Sequence, residues 1–220
     1  MSDIWDFFKM LLDAKQLVKE GGVWIITLIV YLETGWFFCF FLPGDYLLFL
    51  AGLFCVAYLQ VNIWFLFTCI LSAAILGNFT GYLFGRSVGG AFLDKPDSWY
   101  FKKKYVTNTQ DFFEKYGGKA LIIGRFLPVI RTFAPLFAGI ARMNIPLFAL
   151  YNVVGGVLWV SFLTLGGYFL GEIYPEIINY VHYIILFFLG ITTLTMVKAY
   201  FQMKSQKKNG ENDVDPKESK

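Results

Sequence analysis

Apolar residues run along this chain in long blocks, and what interrupts each block separates them into kinds. Three blocks are nearly free of charge: 62–85, 145–170 and 182–201. Each is long enough to cross a hydrocarbon core of about 30 Å as a helix. Two others are broken. In 23–59 the run "ETGWFFCFFLPGD" sets Gly35, Pro43 and Gly44 in mid-block, and the stretch between Asp45 and Gln60 spans only about 21 Å as a helix. In 120–142, Pro128 and Pro135 flank Arg131. Proline removes a backbone donor and breaks a helix. Backbone groups freed in this way are tolerated at membrane depth only where protein or a wet cavity satisfies them. Both broken blocks therefore read as re-entrant hairpins. The first residues differ again: Ile4, Phe7, Phe8, Leu11 and Leu12 recur at helical spacing against Asp6, Lys9 and Asp13. That pattern predicts an amphipathic helix lying in the interface over 1–22. With Asp3, Asp6 and Asp13 inside it and no small-residue cleavage site behind it, this stretch does not read as a signal peptide.

The blocks repeat in order. "KEGGVWIITLI" at Lys19 is echoed by "KYGGKALIIG" at Lys115, "VNIWFLF" at Val61 by "MNIPLFAL" at Met143, and "GYLFGR" at Gly81 by "GYFLGE" at Gly167. Each half runs amphipathic segment, broken hairpin, full helix, and an odd number of crossings inverts one half relative to the other. The expected class is an all-α integral membrane protein. Its first repeat is 23–86 (hairpin 23–59, membrane helix 61–86), followed by an amphipathic connection, 87–119. The second repeat is 120–171 (hairpin 120–142, membrane helix 145–170), followed by a C-terminal membrane helix, 182–201, and a disordered polar tail, 202–220.

Composition agrees: 57% hydrophobic, 20% aromatic and 16% charged residues, against about 25% charge in a soluble domain. The net charge of +3 matters less than its placement. Lys95, Lys102, Lys103, Lys104, Lys115 and Lys119 crowd one connection, and Lys198, Lys204, Lys207 and Lys208 crowd the C-terminal end, whereas 171–182 has no Lys or Arg. The positive-inside rule puts the first two in the cytoplasm and the last outside. Only a hairpin at 120–142 keeps both basic regions on one side. Cys39, Cys55 and Cys69 lack metal-ligand spacing and read as packing residues. His182, the single histidine, reads as structural, and no nucleic-acid partner, metal or cofactor is expected.

Four charges remain inside the apolar blocks: Glu33, Asp45, Arg125 and Arg131. A charge at the bilayer centre costs roughly 2.5–3.5 kcal/mol on insertion scales, so these groups must face one another, a cavity or a ligand. On an unbroken helix Arg125 and Arg131 would lean to opposite faces, but a break at Pro128 lets their guanidiniums converge. Arginine's planar fork suits phosphate, which makes the two a candidate phosphate-binding pair. The plainer reading, compatible with the first, is that they neutralise the acids. Glu33 and Asp45 are candidates for proton coupling, because a carboxyl's proton affinity in a low-dielectric site depends on whether an arginine is adjacent. Pro43, Gly44, Pro128, Pro135 and Asn152 are candidate hairpin-breaking and supporting residues. The stripe Gly77, Gly81, Gly85 and Gly89 reads as close helix packing.

"FLPGD" preceded by Glu33, "GNFTGYLFGRSVGG" at Gly77 and "GRFLPVIRTFAPLFAGIARM" at Gly124 followed by "YNVVGGVLWV" strongly resemble the DedA family of bacterial inner-membrane proteins. That family is related to the eukaryotic VTT-domain lipid scramblases. The resemblance covers about 22–171. It implies two oppositely facing re-entrant hairpins, with an acidic pair and an arginine pair needed for function, which map onto Glu33, Asp45, Arg125 and Arg131. It also implies a role in membrane-potential homeostasis and envelope integrity, members translocating undecaprenyl phosphate or phospholipids. The resulting expectation is a multi-pass protein of the bacterial cytoplasmic membrane, with its C-terminus in the cytoplasm. It would move undecaprenyl phosphate across that membrane, coupled to protons, without being an enzyme. Its partners would be a polyprenyl phosphate or phospholipid and protons, with self-association left open. The alternatives are a general phospholipid flippase or scramblase and a proton-dependent small-ion transporter. A lipid phosphatase would need a nucleophile or metal that the sequence does not offer.

Overall fold

Every regular element among the described residues is helical. The computed structural model describes residues 14–36, 44–55, 59–93, 118–125, 128–184, 186, 187, 190 and 194. The segment before residue 14, Cys39, Pro43, most of the basic connection, most of the helix expected over 182–201 and the tail 202–220 lie outside them.

The first helix, α1 (Ala14–Gly35), is two pieces joined at Gly22, whose φ of +56° interrupts the helix in a conformation that glycine adopts without the usual steric cost. After it comes α2 (Gly44–Leu53), whose 10 residues give about 15 Å of helix, half a hydrocarbon core. The long helix α3 (Ile63–Leu93) starts where the Asn62 side chain accepts from the Trp64 N–H at 2.8 Å. It ends several residues beyond Arg86, its expected limit, because no proline intervenes and Gly89 packs closely on Ile140.

The second half begins with α4 (Lys119–Gly124) and α5 (Pro128–Ile140), separated by a turn at Arg125. Pro128 opens α5, where a missing N–H costs nothing, whereas Pro135 lies inside the helix and leaves the Arg131 carbonyl without its usual donor. The next helix, α6 (Ile145–Val160), is capped by Asn144, which accepts from the Leu147 N–H at 3.3 Å. A π-helical turn, Ser161–Leu165, then leads into α7 (Gly166–Ile173) and a short 3-10 helix, Pro175–Tyr180. Two stretches, Ile63–Gly89 and Ile145–Ile173, are long and apolar enough to cross a membrane.

Packing is crosswise. The short helix α2 of the first half lies on α7 and the π turn of the second, and α5 of the second half lies on α3 of the first. Both contacts are backbone against backbone. A Cβ on Gly52 would overlap the Thr164 carbonyl, and one on Gly167 the Phe49 carbonyl. On the other side a Cβ on Gly85 would overlap the Leu136 carbonyl, and one on Gly139 the Tyr82 carbonyl. The glycine stripe of α3 thus serves two partners: Gly77 and Gly81 meet the end of α1, Gly85 and Gly89 meet α5.

The surface is inverted relative to a soluble protein. Leu76, Leu83, Leu150, Val154, Leu158 and Phe162 point outward, while Glu33, Arg125 and Arg131 are at most 4% exposed. An exterior of this kind suits hydrocarbon, and the charges it encloses need partners within the protein.

Candidate functional site: a buried ionic cluster

Four elements deliver the charged groups to one place. Glu33 comes from the last turn of α1 and Asp45 from the first turn of α2. Arg131 comes from the first turns of α5, and Arg125 from the turn just before it. A carboxylate at the start of α2 is favoured there by the unpaired N–H groups and the positive end of the helix dipole. Glu33 uses the same feature from outside: its Oε2 sits where a Cβ of Gly44 would be, so only glycine at this position lets the carboxylate approach.

The two arginines have different partners. Arg131 bridges both acids, Nη2 donating to Glu33 and Nη1 to Asp45. Asp45 also accepts from the Trp159 indole N–H at 3.1 Å, and the Arg131 guanidinium lies 4.5 Å from the centre of that indole ring. Trp159 therefore holds both members of the pair, one by a hydrogen bond and the other by a cation–π contact. Asp45 is the most accessible member of this bridge, its side chain 19% exposed against 2–3% for the other two. One buried donor of the bridge has no partner, Arg131 Nε.

Arg125 is paired with no carboxylate among the described residues. Its guanidinium donates to the Asn152 side-chain oxygen, and the Asn152 nitrogen is fixed by donating to the Ile75 carbonyl at 3.1 Å. Asn78 completes the setting, 3.0 Å from Asn152. Turned so that its nitrogen faces the Thr34 carbonyl at 3.3 Å, its amide presents oxygen to Arg125 in place of a donor facing a donor, and this oxygen and that of Asn152, 3.0 Å apart, converge on the one guanidinium. Gly155 and Gly156 leave room for the arginine: Cβ atoms there would stand 3.1 Å from its Cδ and 3.0 Å from Nη1.

Both guanidiniums, with Asn78, Asn152, Leu121, Ala134, Pro135 and Phe148, wall one small cavity. It offers about 10 Å³ to the centre of a water-sized sphere, room for about one water. A phosphate group is larger than this cavity as it stands. Among the described residues no group of three or more His, Cys, Asp or Glu side chains could hold a metal.

The structure thus gathers Glu33, Asp45, Arg125, Arg131, Pro135 and Asn152 around one locus and sets Gly44 against Glu33. Pro128 starts α5 beside it. Asn78 and Trp159 were missed as members. The available signal for Asn78 was an amide inside a glycine stripe of an otherwise apolar helix. For Trp159 it was an indole deep within a membrane block and away from the interface.

The VTT-domain family model matches residues 42–169, more than half of the chain, and takes in every member of the cluster except Glu33. The chain belongs to the VTT-domain, or DedA, family. Protein DedA of Escherichia coli K12 is 44% identical over 164 residues, covering 72% of this chain and 74% of its own. An uncharacterized membrane protein of Mycobacterium tuberculosis is 40% identical over 193 residues, 87% and 84% of the two chains. Inner membrane protein YqjA of E. coli K12 is 34% identical over 152 residues, 67% of each. No solved structure gives a significant match. A VTT-family chain with these relatives and this apolar exterior is a membrane protein.

Proposed function

We propose that this chain carries a lipid phosphate between leaflets, with undecaprenyl phosphate as the cargo, returned to the cytoplasmic leaflet for envelope-precursor synthesis. One observation carries the reading: two buried guanidiniums wall a common cavity, one tied to two acids and the other tied to none. Guanidinium forks match phosphate oxygens, and a fixed cation enclosed by apolar helices favours an anion. An arriving phosphate competes with Asp45 for Arg131. Release of Asp45 from Arg131 is the step at which the cycle would couple to protons. The hydrocarbon tail stays in lipid throughout.

On this reading 23–59 and 120–142 are re-entrant hairpins facing each other as inverted repeats. The short helices and the crosswise contacts of α2 with α7 and α5 with α3 support that arrangement. The basic connection and the C-terminus lie in the cytoplasm of a bacterial cell. Engagement of Glu33 and Asp45 by Arg131 and Trp159 favours a carrier over a hydrolase.

The test is reconstitution into liposomes with a labelled polyprenyl phosphate, following its exposure in each leaflet. Transport by the wild type that is lost in Arg125→Gln supports the proposal, and an unchanged rate contradicts it. Competing lipids set the class: a phosphate monoester should compete, a zwitterionic diester should not. Competition by both would favour a general phospholipid flippase. Proton flux without lipid movement would favour a small-ion transporter, and release of inorganic phosphate a phosphatase.

A further inference from the structure

We infer that the two arginines do different work: Arg125, set by Asn78 and Asn152, is the cation that takes the phosphate first, and the two asparagines are positioning residues that keep it without an internal counter-ion. The inference rests on the reading of the cluster as a lipid-phosphate site. Its basis is the contrast in partners. Arg131 has two carboxylates and an indole around it. Arg125, 4% exposed, has amide oxygens where an acid would satisfy it better. A neutral amide holds a guanidinium in place by hydrogen bonding but leaves its charge uncompensated. Burying such a charge is costly unless something pairs with it, and a phosphate entering the cavity does so.

The asparagines are themselves anchored. Asn152, 2% exposed, spends its nitrogen on the Ile75 carbonyl, which turns its oxygen toward the arginine. Asn78, 3% exposed, reaches the same guanidinium from α3, so two long helices fix one cation between them. A second observation also points to a ligand in this cavity. Arg131, which lines it, has a buried Nε with no partner. On this inference a phosphate held by Arg125 in the same cavity supplies that donor with an acceptor. It would then draw Arg131 from Asp45, the most accessible of its two acids.

Replacing the Asn152 amide by a carboxylate gives Arg125 an internal anion, at the cost of the hydrogen bond to the Ile75 carbonyl. Asn152→Asp should therefore lower the affinity of the purified full-length chain for a phosphate monoester by roughly tenfold to a hundredfold, the worth of a charge-assisted hydrogen bond, whatever the lost Ile75 contact costs in Tm. The measurement is the shift in Tm of the protein in detergent on titration with farnesyl phosphate, with farnesol as the control for the tail. A shift in the wild type that is absent in Asn152→Asp, with the variant still unfolding cooperatively, supports the assignment. An equal shift in both overturns the assignment but leaves the lipid-phosphate reading standing. No shift in the wild type overturns both. If Asn152→Asp does not fold, Asn78→Asp places the same charge from α3 and is judged by the same outcomes.

Discussion

At the scale of single residues, the ionic cluster is asymmetric, and its energetics should be too. Removing one member of a buried ion pair strands the other, at a cost of about 3–5 kcal/mol. Arg131→Ala strands two carboxylates at once. Arg125→Gln gives up hydrogen bonds to amides, about 1–2 kcal/mol, but relieves a buried charge that has no acid beside it. Thermal unfolding in detergent should rank Arg131→Ala well below Arg125→Gln, and equal losses would mean that Arg125 has an acid partner after all. The charged residues were legible in the sequence because an ionised group stands out in an apolar block. The division between the arginines was not, since it depends on which acid and which amide the fold brings within reach. Nor was the part played by Trp159, because an indole in a membrane block has the same composition signal whether it faces lipid or an aspartate.

At the scale of elements, small residues set how closely the helices approach, and that approach sets the site. Gly139 lets α5 touch the backbone of α3 at Tyr82, with the Arg86 N–H 2.7 Å from where a Cβ would stand. Gly139→Leu should push α3 and α5 apart at a cost of about 1–3 kcal/mol, and it should also reduce transport, because Asn78 rides on α3 and Arg131 on α5. Gly166→Ala is the control: no atom lies within 4 Å of its would-be Cβ, so both stability and transport should survive. Loss of stability in Gly166→Ala, or none in Gly139→Leu, would contradict this packing. The glycine stripe and the Asn62 and Asn144 starts of the full helices were readable from spacing and repeat. The π-helical turn at Ser161–Leu165 was not, for it changes the register of a helix without changing its apolar pattern. The same holds for the length of α3, whose end beyond Arg86 is decided by what Gly89 packs against.

At the scale of the whole molecule, an apolar exterior encloses a charged interior, and the cavity between the arginines holds about one water in the closed form described. On the proposed function, transport passes through a form in which this cavity has opened to a head group. The measurement that bears most directly on the account is an experimental structure of the protein in lipid nanodiscs loaded with a polyprenyl phosphate. The account predicts phosphate density within hydrogen-bonding reach of both Arg125 and Arg131, with the Arg131–Asp45 contact broken. Phosphate density elsewhere on the protein, with the Glu33–Arg131–Asp45 bridge intact, would contradict it.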